Sequence, residues 1–140
     1  MATPENTRDY DITNLHPLMR SPVFDMIHDL RFATGRPAHL PDFGIFEGYR
    51  SPERQAYLLK RGDSLAGPWQ SAHQYGLAVD IVPIVDGQWS WNVGADIWTH
   101  IASIAVRHGL VVPIGLDKAH VQHPLFAQAK RLIGAAVRTK

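Results

Sequence analysis

Apolar positions along the chain keep a helical spacing in some stretches and a strand-like alternation in others. Val23, Met26, Ile27 and Leu30 fall at i, i+3, i+4 and i+7, behind Ser21-Pro22, which reads as an N-cap followed by proline at the first helical position. The spacing predicts a helix over about 21–34, before Gly35. Phe43 and Ile45 alternate with smaller neighbours up to Gly48, a short strand signal. Ser51-Pro52 then repeats the cap-plus-proline opening, predicting a second helix over about 51–61 that Gly62 closes. From Asp63 to Gln70 the residues turn to Gly, Pro, Ser and Trp, an exposed loop placed to form part of a binding rim.

Leu77 to Val85 is rich in β-branched residues, and Asp86-Gly87 is a dipeptide favoured in two-residue hairpin turns, so Gln88 to Trp91 is read as the returning strand. Ile97, Trp98, Ile101, Ile104 and Ala105 form a further helical stripe ending at Gly109. Leu110 to Pro113 and Ala119 to Gln122 read as two more short strands. Pro124 opens a last helix with Leu125, Ala129, Leu132, Ile133 and Ala136 on one face. Short strands, a hairpin and helices without regular βαβ repetition predict an α+β fold: a small, mainly antiparallel sheet with three to four flanking helices.

At 140 residues the chain is read as a single domain spanning 1–140, with residues 1–12 loosely held. Lys and Arg total 14 against 13 Asp and Glu, a net charge of +1, so no broad basic field exists to hold nucleic acid. There is no cysteine, which removes disulfides, thiolate zinc sites and cysteine nucleophiles together. No apolar run approaches the ~18 residues that span a bilayer, and Met1 to Leu18 holds no signal-peptide run. The expectation is a protein made in the cytoplasm without membrane insertion. Against this background stand eight histidines, a residue type that is the commonest neutral metal ligand.

Most of those histidines have no acid at a suggestive spacing. His16, His28, His39, His100 and His108 read as surface or helix residues, with His108 beside the Gly109 cap. Two clusters differ. In Ser71-Ala-His73-Gln-Tyr-Gly76-Leu-Ala78-Val-Asp80, a turn histidine precedes a carboxylate set between Val79 and Ile81 in an apolar strand. A buried carboxylate is costly unless paired or bound to a metal, and Gly76 lets the chain bend so that His73 swings toward Asp80. The second cluster is Asp117-Lys-Ala-His120-Val-Gln-His123. Two imidazoles and one carboxylate make the three-ligand set of a catalytic zinc site, with a further carboxylate as base. The spacing alone admits either His120 or His123 as the ligand, and Asp117 as ligand or base.

Ser71-x-His73-x-x-Gly76-x-Ala78-x-Asp80, with Asp117-x-x-His120 downstream and Gly48-Tyr49-Arg50-Ser51 upstream, resembles the zinc peptidases comprising D-alanyl-D-alanine carboxypeptidases, dipeptidases and L-alanyl-D-glutamate endopeptidases. The resemblance covers about residues 43–124 and is nearest to phage endolysins that cut the L-alanyl-D-glutamate bond. It implies one Zn2+ per chain on His73, Asp80 and His120, with Asp117 as the general base. It further implies that Arg50 holds a substrate carboxylate or the developing oxyanion, and that Ser71 and Gln55 support substrate or ligands. His123 is a candidate for the substrate cleft. Trp98 reads as core, whereas Trp69 and Trp89 or Trp91 read as cleft wall. One departure stands out: the tryptophan-bearing, glycine-rich stretch usual before the second motif is here Val111-Val-Pro-Ile-Gly-Leu116.

The function the resemblance implies is hydrolysis of peptidoglycan stem peptides, at the L-alanyl-D-glutamate bond, by a monomeric single peptidase domain acting on the cell wall after release by a separate holin-type protein. The rival readings are a D-alanyl-D-alanine carboxypeptidase and a non-catalytic wall-binding or virion structural domain. A metal-dependent nuclease fits the near-zero charge poorly. The C-terminal Lys130, Arg131, Arg138 and Lys140 read as a solvated helix face.

Overall fold

The computed structural model describes residues 5–64, 66–67, 69–113, 115 and 117–128. The described residues form an α+β fold in the order α1 (Pro17–Phe32), β1 (Asp42–Glu47), α2 (Pro52–Arg61), β2 (Ala78–Val85), β3 (Gln88–Trp89), α3 (Ala95–Arg107) and β4 (His120–Gln122). Short 3-10 turns at Ile12–Asn14 and Ala72–Tyr75 precede α1 and β2.

All strand pairings are antiparallel and all involve β2. β1 runs along one edge of β2, while on the other edge β3 pairs with its C-terminal end and β4 with its N-terminal end. This explains why Ala78 to Pro83 is buried throughout, against the alternation expected of a half-exposed strand. The Asp86-Gly87 turn has φ of 52° and 74°, the pair of left-handed residues that a tight hairpin turn needs. The return is shorter than predicted, only Gln88–Trp89.

α2 begins and ends as predicted: the Ser51 side chain accepts from the Arg54 N–H, Pro52 takes the first position, and Gly62 closes the helix at φ 81°. α1 begins one turn before the expected Ser21. His16 is its N-cap, with Nδ1 accepting from the Leu18 N–H at 3.1 Å, and Pro17 fills the first position. The helix therefore passes through Pro22, which forgoes one backbone bond. The earlier start adds Met19 to the buried stripe of Val23, Met26 and Leu30, and its burial offsets the lost bond. Leu110 to Pro113 is not a strand; it contributes one bridge, Val111 to Gln122. The predicted last helix shows its first residues, 125–128, and otherwise lies outside the described residues, as do Lys130, Arg131, Arg138 and Lys140.

The core gathers the α1 stripe, Ile97, Trp98, Ile101, Ile104 and Ala105 of α3, and Phe43, Val79, Ile81 and Val82 of the sheet. The early segment is tied to this frame: Arg8 Nη1 donates to the Phe46 carbonyl at 2.8 Å, and the Gly48 N–H donates to the Asp9 carbonyl at 2.7 Å. Among the described residues, no helix is long and apolar enough to cross a membrane.

Candidate metal centre

Antiparallel register places three chemically active side chains in one row. Glu47 on β1, Asp80 on β2 and His120 on β4 are Cα partners, so their side chains share a side of the sheet. On β1 this depends on a bulge: Ile45 faces Ile81 and Glu47 faces Asp80, leaving Phe46 as the extra residue.

His73 arrives from the 3-10 turn before β2. Ser71 caps that turn, its Oγ accepting from the His73 N–H at 3.3 Å, and Gly76 ends it at φ 67°. A side chain at Gly76 would place Cβ 2.5 Å from the His16 backbone nitrogen, so glycine is required both by conformation and by the close approach of α1.

His73, Asp80 and His120 each bring one ligand atom to within 4.8 Å of the others, and all three are buried. His73 Nδ1 lies 2.7 Å from the Gly48 carbonyl oxygen. A carbonyl only accepts, so Nδ1 carries the hydrogen and the neutral ring leaves Nε2 bare. That bare nitrogen stands 3.2 Å from Asp80 Oδ1. His120 Nε2 lies 2.8 Å from Gln122 Oε1, which likewise places the hydrogen on Nε2 and turns the bare Nδ1 toward Asp80 Oδ1 at 3.8 Å. Two ring lone pairs thus converge on a carboxylate oxygen. Unless a proton or a metal ion lies between them such pairs repel, and neighbouring ligands of a tetrahedral zinc at about 2.0–2.1 Å stand roughly 3.3–3.4 Å apart. The donor set therefore fits a zinc-like ion.

Burial works to raise the Asp80 pKa, but with no metal bound the charge and hydrogen bond that His73 supplies when its ring is protonated, followed by the charges of Arg50 and His120, outweigh it and bring the carboxyl to about 2. Burial and the neighbouring His73 lower the pKa of His120, which favours the neutral ring that a metal requires. Asp117 shifts upward, through desolvation of its carboxyl and then repulsion from Asp80. The residue as a whole is exposed and lines a cavity of about 340 Å3 together with Trp91, Val93, Trp98, Lys118 and Ala119. An accessible carboxylate with a raised pKa suits proton transfer more than ligation.

The remaining site residues fall into different positions. Arg50 Nη2 donates to Asp80 Oδ2 and Nη1 to Gln55 Oε1, both at 3.2 Å. Gln55, expected to support substrate or ligands, is fully buried; its Nε2 donates to Ser64 Oγ and the Ala66 carbonyl, so it braces Arg50 and the following loop. His123 stands apart from the ligand group: its Nδ1 accepts from the Leu125 N–H at 3.0 Å. Trp98 is core, while Trp69, Trp89 and Trp91 are exposed, and Trp91 shares the cavity with Asp117. Glu47 and Arg54, joined at 2.8 Å, were not singled out by motif, and neither was the 3.0 Å pair between His108 and Asp29.

The profile of the phage L-alanyl-D-glutamate peptidase family matches residues 37–120, more than half of the chain. The chain belongs to that family. It is thereby a member of a family of peptidoglycan peptidases, and the matched span contains His73, Asp80, Asp117 and His120. No curated protein matches. Among solved structures, the fold resembles the Serratia marcescens L-Ala D-Glu endopeptidase ChiX, at 24% identity over 89% of this chain and 95% of that one, with a TM-score of 0.59. It also resembles the vancomycin-resistance D,D-pentapeptidase VanY of a VanB-type cassette, solved with Zn(II), at 20% identity over 82% and 80% of the two chains and a TM-score of 0.57. The LD-carboxypeptidase LdcB is similar at 19% identity over 86% and 71%, with a TM-score of 0.56. At these identities the likeness concerns the fold.

Proposed function

We propose that this family member is a zinc-dependent endopeptidase that cleaves the L-alanyl-D-glutamate bond of peptidoglycan stem peptides and so degrades the wall in host lysis. The observation that carries the reading is the convergence of bare His73 Nε2 and His120 Nδ1 on Asp80 Oδ1, in a chain of this family.

His73, Asp80 and His120 would hold one zinc ion per chain. When bound, zinc would lower the pKa of a water to about 7 and polarise a carbonyl. Asp117, its pKa raised, takes the proton from the attacking water on its carboxylate and returns it to the leaving amine. Arg50 uses one N–H of each Nη group on Asp80 and Gln55 and keeps the other for the oxyanion or a substrate carboxylate. Trp91 and Trp98 wall the cavity beside Asp117 and exclude water from one side. Ser71 acts on substrate only through His73, whose turn it caps. His123 borders the cleft. The chain acts as a monomer on the wall after release by a separate holin-type protein.

The deciding experiment is a digest of purified sacculi by zinc-loaded protein, read by mass spectrometry of the muropeptides. New termini at L-alanine and D-glutamate are expected. Release of a single terminal alanine would instead make it a carboxypeptidase, and no turnover would make it a wall-binding domain. Gel filtration with light scattering tests the monomer.

A further inference from the structure

Glu47 is a carboxylate that neither the ligand set nor the base explains. It is 2% exposed, and the bulge at Phe46 sets it opposite Asp80. Its Oε2 accepts from Arg54 Nε at 2.8 Å, while its Oε1 stands 3.1 Å from Arg50 Nε as an ion pair outside hydrogen-bond geometry. From Arg50 the chain of contacts continues to Asp80 Oδ2 and Gln55 Oε1. Because a guanidinium is planar and rigid, a buried charge drawing on its Nε edge biases where its Nη edge points. With Oδ2 engaged by Arg50, Oδ1 of Asp80 is the oxygen that faces both imidazoles. A buried arginine with Asp80 as its sole carboxylate would compete with a cation for that group. Glu47 supplies the second negative charge that divides Arg50 between two acids.

We propose that Glu47 is a positioning residue for the metal centre: it holds Arg50 so that Asp80 presents Oδ1 to the ion while Oδ2 stays hydrogen-bonded. The inference rests on the metal reading above, and its test does not use hydrolysis.

The experiment compares zinc affinity and melting temperature of the full chain for wild type, Glu47→Gln and Arg54→Gln, with affinity read by competition against a chromophoric chelator. Arg54 also pairs with Glu47 but does not touch Asp80 in any described hydrogen bond or ion pair, so it reports the purely structural share of the cluster. Both variants are expected to melt lower. Only Glu47→Gln is expected to weaken zinc, by roughly 10–100-fold, the range for groups that orient ligands. If Glu47→Gln does not fold, Glu47→Asp, which keeps the charge but withdraws it by one methylene, replaces it in the same comparison and is expected to weaken zinc as well. Wild-type affinity in the Glu47 variant, or equal weakening by Arg54→Gln, overturns the inference. A wild type that binds zinc but leaves stem peptides uncut overturns the proposed activity and not this assignment, whereas a wild type that binds no zinc removes both.

Discussion

Asp80 and His120 are direct partners across β2 and β4, so the carboxylate and the imidazole project from neighbouring strands onto one side of the sheet. Each is held by a group that leaves one atom free: Arg50 takes Asp80 Oδ2, and Gln122 takes His120 Nε2. His73 completes the set from a turn whose own hydrogen bond to Gly48 exposes the right nitrogen. Asp80→Asn keeps the shape and the Arg50-side oxygen but removes the negative charge. Zinc affinity is expected to fall by more than the ~100-fold upper range for supporting groups, since a ligand itself is altered. His73→Ala and His120→Ala are expected to do the same, with elemental analysis of the purified variants as the check. A full complement of zinc in any of the three would remove that residue from the set.

Asp117 is expected to be separable from binding. Asp117→Asn removes the proton acceptor without touching the three ligands, so zinc stoichiometry should be unchanged while kcat on muropeptides falls by about 100- to 10,000-fold, the usual share of general acid–base catalysis. Loss of zinc in this variant would make Asp117 a ligand instead, the alternative that the spacing of the second cluster left open.

That ambiguity shows where sequence and structure part. Ser51-Pro52 with Gly62, and Asp86-Gly87, carry their conformations in local chemistry, so α2 and the hairpin turn were legible directly. His73 and Asp80 were legible because an acid between Val79 and Ile81 demands a partner. His120 over His123 was not legible from spacing and came only with the family resemblance, since the distinction depends on β4 pairing in register with β2. The start of α1 differs because Ser21-Pro22 carries the usual cap-plus-proline signal, whereas the observed cap is His16, outside the usual capping residues, and the added turn buries Met19 in the core. Glu47 was invisible for a different reason: its place opposite Asp80 is created by a bulge, which breaks the very alternation by which strand residues are assigned to a face.

Zinc retention should depend on pH in a defined direction. A metal takes the neutral imidazole, and the pKa of His120 is lowered by burial and by His73. Protons therefore compete at His120 only below the ordinary histidine value of about 6.5, and Asp80, at about 2, does not compete in this range. Affinity measured from pH 5 to pH 8 is expected to be flat at the upper end and to weaken only below the ordinary histidine value. Weakening that begins above pH 7 would show that His120 holds its proton more tightly than a free histidine, contrary to its buried surroundings.

The site also depends on a backbone contact outside it. Gly76 adopts φ 67°, its carbonyl accepts from the His16 N–H at 3.0 Å, and a Cβ there would stand 2.5 Å from that same nitrogen. Gly76→Ala meets two penalties: the left-handed backbone costs an ordinary residue about 1–2 kcal/mol, and the clash is with backbone that cannot rotate away. The combined loss is expected to be roughly 2 kcal/mol or more, read as a lower midpoint in chemical denaturation. Because the turn that ends at Gly76 also carries His73, relief of the clash by moving the turn would draw Nε2 from Asp80, and zinc affinity should fall with stability. Zinc affinity unchanged alongside lowered stability would mean that α1 gives way at His16 and that the turn, not the helix cap, is the stiffer partner.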